Sequence, residues 1–290
     1  MAEIIGILGG NGVYARHLVP RLAAAGHTVR VIVRRPEAAG LAYACGAEIA
    51  VADIYDVAAM SVVLRGCTVA VNLATSLPGP SGRGDFAAND LVRVVGTPNF
   101  VAACRSAGVP RVLQQSIGLV CASGDLRWSD ETAVYRPMED TIAAKAIAAA
   151  HLMESSITAS GLDWVILRGG LFYGPGTGFD EGWFARAAAG KLRLPGDGSD
   201  YVSLIHIADM ATATVAALER WPSRRALIVC DDAPAQWRDV FGFIASCAGQ
   251  EPPRPGGRID FPSFRLRNAQ AAATLGWRPF YRNYREGLAR

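Results

Sequence analysis

No apolar run in this chain approaches the roughly 20 residues that a helix needs to cross a bilayer. The N-terminus enters a strand-like segment with no cleavable leader pattern. Together these absences imply a cytoplasmic location and no membrane partner. Charge is also scarce, at 19% of 290 residues, and the net charge of +3 is scattered. With no basic helix or stripe, nucleic acid is not expected as a partner. The six cysteines (Cys45, Cys67, Cys104, Cys121, Cys230, Cys247) form no Cys-x-x-Cys pair and no Cys/His ligand set. The four histidines (His17, His27, His151, His206) are too dispersed for a metal motif. Reduced thiols in apolar segments are expected, and no metal. Apolar residues, in contrast, make up 51% of the chain. That is enough for one large domain, or a domain plus a lobe.

The first fifteen residues carry the most chemistry. Glu3 to Leu8 is a short apolar run that reads as a buried strand, and it breaks into Gly9-Gly10-Asn11-Gly12-Val13-Tyr14-Ala15. A helical apolar pattern, His17 to Ala25, follows directly. A strand, glycine turn and helix in this order let backbone approach a diphosphate. Gly9, Asn11, Gly12 and Val13 lie at the helix N-terminus, whose N–H groups and partial positive charge face such an anion. The spacing is G-x-x-G-x-x-A, and glycines also end strands for steric reasons. The second strand, Thr28 to Val33, is largely β-branched, as a buried parallel strand should be. An acidic residue past this strand would bind a ribose 2′-OH, but the chain has Arg34-Arg35-Pro36. Two guanidinium groups suit a 2′-phosphate, so NADP is expected before NAD. A solvated basic turn is the other reading.

Beyond this point strands and helices alternate: strands at 47–52, 68–73, 111–115 and 163–167, with long helices near 86–107 and 138–160. The alternation calls for an α/β fold, a Rossmann-type doubly wound parallel sheet with helices on both faces. Past Gly169, Gly- and Pro-rich breaks at 173–176, 194–198 and 251–257 mark a small C-terminal substrate lobe. The expected division is a nucleotide-binding domain over 1–168 and a lobe over 169–290, some of whose segments return to the core.

In order and spacing the chain resembles the short-chain dehydrogenase/reductase superfamily, in its extended or atypical branch, the NAD-dependent epimerase/dehydratase group. The resemblance spans nearly the whole length. It rests on the glycine turn, Asp53, Asn72-Leu73-Ala74, Gly96-Thr97-Pro98-Asn99, Leu167 to Gly176, His206-Ile207-Ala208-Asp209 and Leu275-Gly276-Trp277-Arg278-Pro279. It implies adenine contacts at Asp53 and Ile54 and a cofactor wall at Ala74 and Thr75. It also implies a homodimer seamed by the two long helices, whose small residues allow close approach.

The catalytic pattern departs from that family. Its members carry Ser or Thr after strand five and Tyr-x-x-x-Lys at the next long helix, where a phenol donates a proton beside a lysine that holds the nicotinamide ribose. Here the segment is Thr141-Ile142-Ala143-Ala144-Lys145: the lysine stays and the phenol is gone. An aliphatic hydroxyl is too weak an acid to replace it. The serine aligns at Ser116, or one place later at Ile117. Tyr135, Tyr173, Glu139 and Asp140 are the candidate substitutes, each also explicable as packing or as a helix cap. Trp128, Phe179, Trp183 and Phe184 point to an apolar or aromatic small-molecule substrate, or to lid packing. Three functions stay open. The first is an NADP-dependent oxidoreductase or isomerase acting on a carbonyl, hydroxyl, C=N or C=C compound. The second is a degenerate NADP-binding sensor or assembly protein, and the third a non-redox acid–base enzyme.

Overall fold

The computed structural model describes residues 2–78, 84–138 and 140–289. Its seven-stranded sheet has the order Arg225–Val229, Asp163–Gly169, β5 (Arg111–Ile117), β4 (Val69–Asn72), β1 (Ile4–Leu8), β2 (Thr28–Val33) and β3 (Glu48–Val51). The pairings of β1 with β2 and β4, of β2 with β3, and of β4 with β5 are parallel. This is the Rossmann-type α/β sheet that the alternation predicts. β4 is buried at all four positions because helices cover both faces, which explains its unbroken Val-Ala-Val run.

Two compact units make up the chain. The first comprises residues 1–116, 148–167 and 214–226; the second comprises 117–147, 168–213 and 227–290. The division differs from a cut at residue 168. Residues 117–147, which precede that cut, fold with the second unit, and residues 214–226, beyond it, return to the first. Sequence alternation reports strand and helix order but is blind to which segments share a core.

In the first unit the chain winds outward from β1 to β3, then returns to the other side of β1 as β4. The strand order therefore switches between β1 and β4, and the crevice at their carboxyl ends is where such sheets take ligands. Helix α1 (Val13–Ala24) follows β1, α2 (Gly40–Ala44) follows β2, and α3 (Val57–Leu64) follows β3. Between β4 and β5, α4 (Phe86–Leu91) and α5 (Thr97–Ala107) are joined by a π turn at Val92–Gly96. Pro98 lacks the N–H needed to continue the ladder, and the wider turn absorbs that loss. Gly96 fits closely there, because a Cβ would lie 2.8 Å from Ile54 Cδ1 and would force that side chain to shift.

The long helix after β5 is α6 (Ile142–Thr158). It starts later than residue 138 because Thr141 Oγ1 accepts a hydrogen bond from Ala144 N and caps it. In the second unit, Leu171–Tyr173 pairs in parallel with Leu204–His206. Helices Phe179–Ala188 and Trp237–Cys247 pack there through Trp183, Trp237 and Phe241, with ring centroids 5.0–5.8 Å apart. Trp183 is thus a core residue and not a lid aromatic. Of the cysteines, Cys67, Cys104, Cys121 and Cys230 are buried and Cys247 is exposed; all six are free thiols. No described helix is long and apolar enough to cross a membrane.

Candidate functional site

The first unit places Gly9, Asn11, Gly12 and Val13 after β1 and Ala74 and Thr75 after β4, at the point where the strand order switches. Gly9 has φ 77°, which favours glycine, and a Cβ there would meet Leu73 C and O at 2.8 Å. The turn after β1 therefore closes against the end of β4 by backbone alone. Gly12 is the N-cap of α1 and supplies no side-chain cap, so the first-turn amides around Val13 stay open to an anion. Asn11 and Gly12 flank this opening, and Ala15 is fully buried beneath it. These features fit a dinucleotide diphosphate: a side chain at Gly9 would fill the space that the backbone uses.

A polar clamp shapes the opposite wall. Asn72, 1% exposed at the end of β4, donates to Gln114 Oε1 at 2.9 Å, and its own carbonyl accepts from Ala74 N at 3.1 Å. The clamp fixes the turn through Ala74 and Thr75. The sequence shows Asn72, but the role of Gln114 was missed; its signal is an amide pair, Gln114-Gln115, inside strand β5, of which Gln114 is the buried one. Asp53 caps the turn after β3 by accepting from Tyr55 N at 3.0 Å, while Ile54 is 6% exposed and packs in the core of this unit. Ile54 can offer an adenine little beyond its backbone. Burial raises the Tyr55 phenol's pKa; Asp53 adds to the rise and Arg34 opposes it, so both charges lie near this tyrosine. Arg34 and Arg35 are exposed beyond β2. Arg16, also missed, lines a small cleft with Asn11 and the segment 38–42.

Ser116 belongs to the same unit. It is 1% exposed, and its Oγ donates to Glu154 Oε1 of α6 at 2.6 Å. The strand-end serine is an enclosed partner of a buried carboxylate, with no hydroxyl presented to a substrate. Register decides this, since the next residue, Ile117, is the partly exposed one.

The second unit holds the remaining candidates. Thr141 is exposed, and its hydroxyl serves as the cap of α6. Lys145, one turn on, is 63% exposed and meets Asp140 Oδ1 at 3.2 Å. A pair this exposed contributes little to stability. Lys145 is therefore not fixed by a buried ion pair. Glu139 lies outside the described residues, as do residues 79–83 between β4 and α4. Tyr135 is half-buried; its N donates to Val120 O at 2.8 Å and its ring packs over Gly124.

Tyr173 requires correction as a proton donor. It is fully buried, its ring edge meets His206 at 5.2 Å between centroids, and its Oη has no hydrogen-bond partner. Burial, then the charges of Asp231 and Asp209, push its phenol far above the ordinary value. A group so enclosed touches no substrate. Its Tyr-Gly-Pro-Gly turn carries a positive-φ glycine at 174, whose N–H donates to buried Asp180 at 3.1 Å. His206 is structural in the same way: Nδ1 accepts from Ala208 N at 3.2 Å. Asp209 accepts from Phe280 N and Tyr281 N and ties down the C-terminal segment.

Residues 5–229 match the model of the NAD dependent epimerase/dehydratase family. A 3-diazoavenalumate denitrifying reductase from a Streptomyces species is 33% identical over 98% of both chains. A 4-hydroxy-2-methyl-3-oxo-4-farnesyl-3,4-dihydroquinoline-1-oxide ketoreductase from Stigmatella aurantiaca is 28% identical over 94% of this chain and 80% of its own. Among solved structures, Bordetella bronchiseptica WbmG in complex with NAD superposes with a TM-score of 0.80 at 19% identity, over 99% of this chain and 92% of that one.

Proposed function

The chain belongs to the NAD dependent epimerase/dehydratase family and is an NAD(P)-using oxidoreductase or epimerase-like enzyme, and from that premise we propose a finer reading. It is an NADP-dependent reductase of a small aromatic electrophile whose reduction needs no proton from the protein. The observation that carries this is Thr141. Where the family places a phenol, this chain has a hydroxyl already engaged as the cap of α6.

A nicotinamide dinucleotide held by the first unit would supply a hydride. Gly9, Asn11, Gly12 and Val13 would hold its diphosphate, Arg34 and Arg35 its 2′-phosphate, and Ala74 and Thr75 would line it. Asp53 and the Ile54 backbone would border the adenine, and Lys145 would hold the ribose. No phenol stands at the family's position before Lys145, and the aliphatic hydroxyl of Thr141 cannot protonate an alkoxide at neutral pH. A ketone is therefore a poor match, although one relative is named a ketoreductase. An arene that loses a neutral leaving group as hydride arrives needs no such acid. In that exchange the C–N bond breaks, its electron pair leaves with dinitrogen, and a C–H bond forms. The relative that aligns end to end is named for denitrification of a diazo compound, which supports this substrate class.

The test is turnover of NADPH with a panel of aryl diazonium carboxylates, aryl ketones and enones. Diazonium reduction with a rate flat between pH 6 and 8 is expected. Ketone reduction that is faster, and that falls in Tyr135→Phe, would refute the reading.

A further inference from the structure

We propose that Arg16 is a third guanidinium for the 2′-phosphate of NADPH and helps to set the preference for that nucleotide over NADH. The inference rests on the NADP reading above and deepens it, adding a residue of α1 to the pair Arg34 and Arg35 after β2. Arg16 lies one turn into α1, and its N donates to O of the N-cap Gly12 at 3.1 Å. Side chains on a helix lean toward its N-terminus, so this one leans back toward the glycine turn. There it lines the small cleft that Asn11 shares with Ala38, Ala39 and Leu41. Gly10 seats the turn directly on β2, since a Cβ at that position would fall 2.3 Å from Val31 Cγ1. The cleft therefore lies between the turn that suits a diphosphate and the segment that follows Arg34-Arg35.

The charge of Arg16 is out of place without an anion. A cation near the start of a helix is repelled by the positive end of the dipole, and no acidic residue in the first turn of α1 offsets it. Arg16, Arg34 and Arg35 are all exposed, and among the described residues none of them forms an ion pair. Glu37, the acid of the short turn after Arg35, is exposed and forms none either. A phosphate dianion would relieve the repulsion at α1 and accept charge-assisted hydrogen bonds from the guanidinium forks. A single exposed guanidinium holds an anion weakly. Arg16 thus adds to the pair after β2 and does not replace it.

The experiment is calorimetric titration of the full chain with NADPH and NADH, and with 2′,5′-ADP and 5′-ADP, which lack the nicotinamide end. Arg16→Ala should weaken NADPH and 2′,5′-ADP by about five-fold or more, and leave NADH and 5′-ADP within about two-fold. Arg16→Lys keeps the charge without the planar fork and should recover part of the loss. The melting temperature of ligand-free Arg16→Ala should equal or exceed the parent's, because a repulsion with the helix dipole is removed. A parent that prefers NADPH, with the same preference kept in Arg16→Ala, would overturn this proposal and leave the NADP reading standing. Equal weakening of NADPH and NADH would overturn it too, by placing Arg16 at the diphosphate. A parent with no preference between the two nucleotides would overturn the NADP reading itself, and this proposal with it.

Discussion

At the residue scale, charge and acidity carry the functional argument. Arg34 and Arg35 stand exposed where a ribose-binding acid would otherwise sit. NADPH should bind at least ten-fold tighter than NADH, about 1.4 kcal/mol or more, and the double change to alanine should erase the difference. Equal affinities of the parent for both nucleotides by calorimetry would count against a phosphate role. Tyr135 and Thr141 bear on proton supply. Tyr135→Phe should keep turnover within about three-fold, since the proposed reaction draws no proton from a phenol; a loss on the order of 10²-fold would restore Tyr135 as general acid. Thr141→Val should lower thermal stability by about 1 kcal/mol, the usual cost of a lost helix cap, with a modest effect on rate. Asp231 makes stability depend on pH with a definite sign. Its carboxyl is raised to about 8 in the folded chain against an ordinary value near 4. Between those limits the folded state holds a proton that the unfolded state has released, so stability is lost as pH rises through the window. The melting temperature of Asp231→Asn should fall less between pH 6 and pH 8.5 than the parent's. Parallel pH dependences in the two proteins would show that Asp231 does not titrate there.

At the scale of elements, strands and helices were legible where apolar periodicity is strong. The chain also announced the glycine turn, because only small residues allow β1 to close against β4. Much less of the candidate site could be read. Ser116 and Ile117 differ by one step along β5, and that step decides which one faces Glu154; no pattern in the strand sets the register. Tyr173 is a candidate acid in the sequence, yet its burial against His206 and Gly287 depends on segments distant in sequence. The contact between β5 and α6 yields its own expectation. Ser116→Ala would leave Glu154 Oε1 without its buried donor and should cost about 1–3 kcal/mol. Denaturant unfolding that showed no change would mean the hydroxyl contributes nothing to that junction.

At the scale of the whole molecule, the open question is what covers the helical surface of the first unit. Leu91, Val94 and Val95 are 55%, 38% and 43% exposed along Phe86–Ala107, and Leu152 of α6 is 58% exposed. Leu91 closes α4 and Val94 and Val95 lie in the π turn that follows it, so the three exposed side chains are near neighbours along the chain. Aliphatic residues of this size leave water only on association, and clustered exposure of this kind marks a protein contact. The small residues of α6 would let a second copy approach closely, as the sequence resemblance implies, so we propose a homodimer seamed by these helices. Light scattering of the parent at micromolar concentration should give twice the chain mass. Leu91→Glu with Val95→Glu would place two carboxylates in the seam and should give the monomer. NADPH affinity should stay within about two-fold of the parent's, because Gly9, Gly12, Arg34 and Arg35 lie on other elements. A monomeric parent would refute the assembly, and a dimer that survives both substitutions would move the seam away from this face.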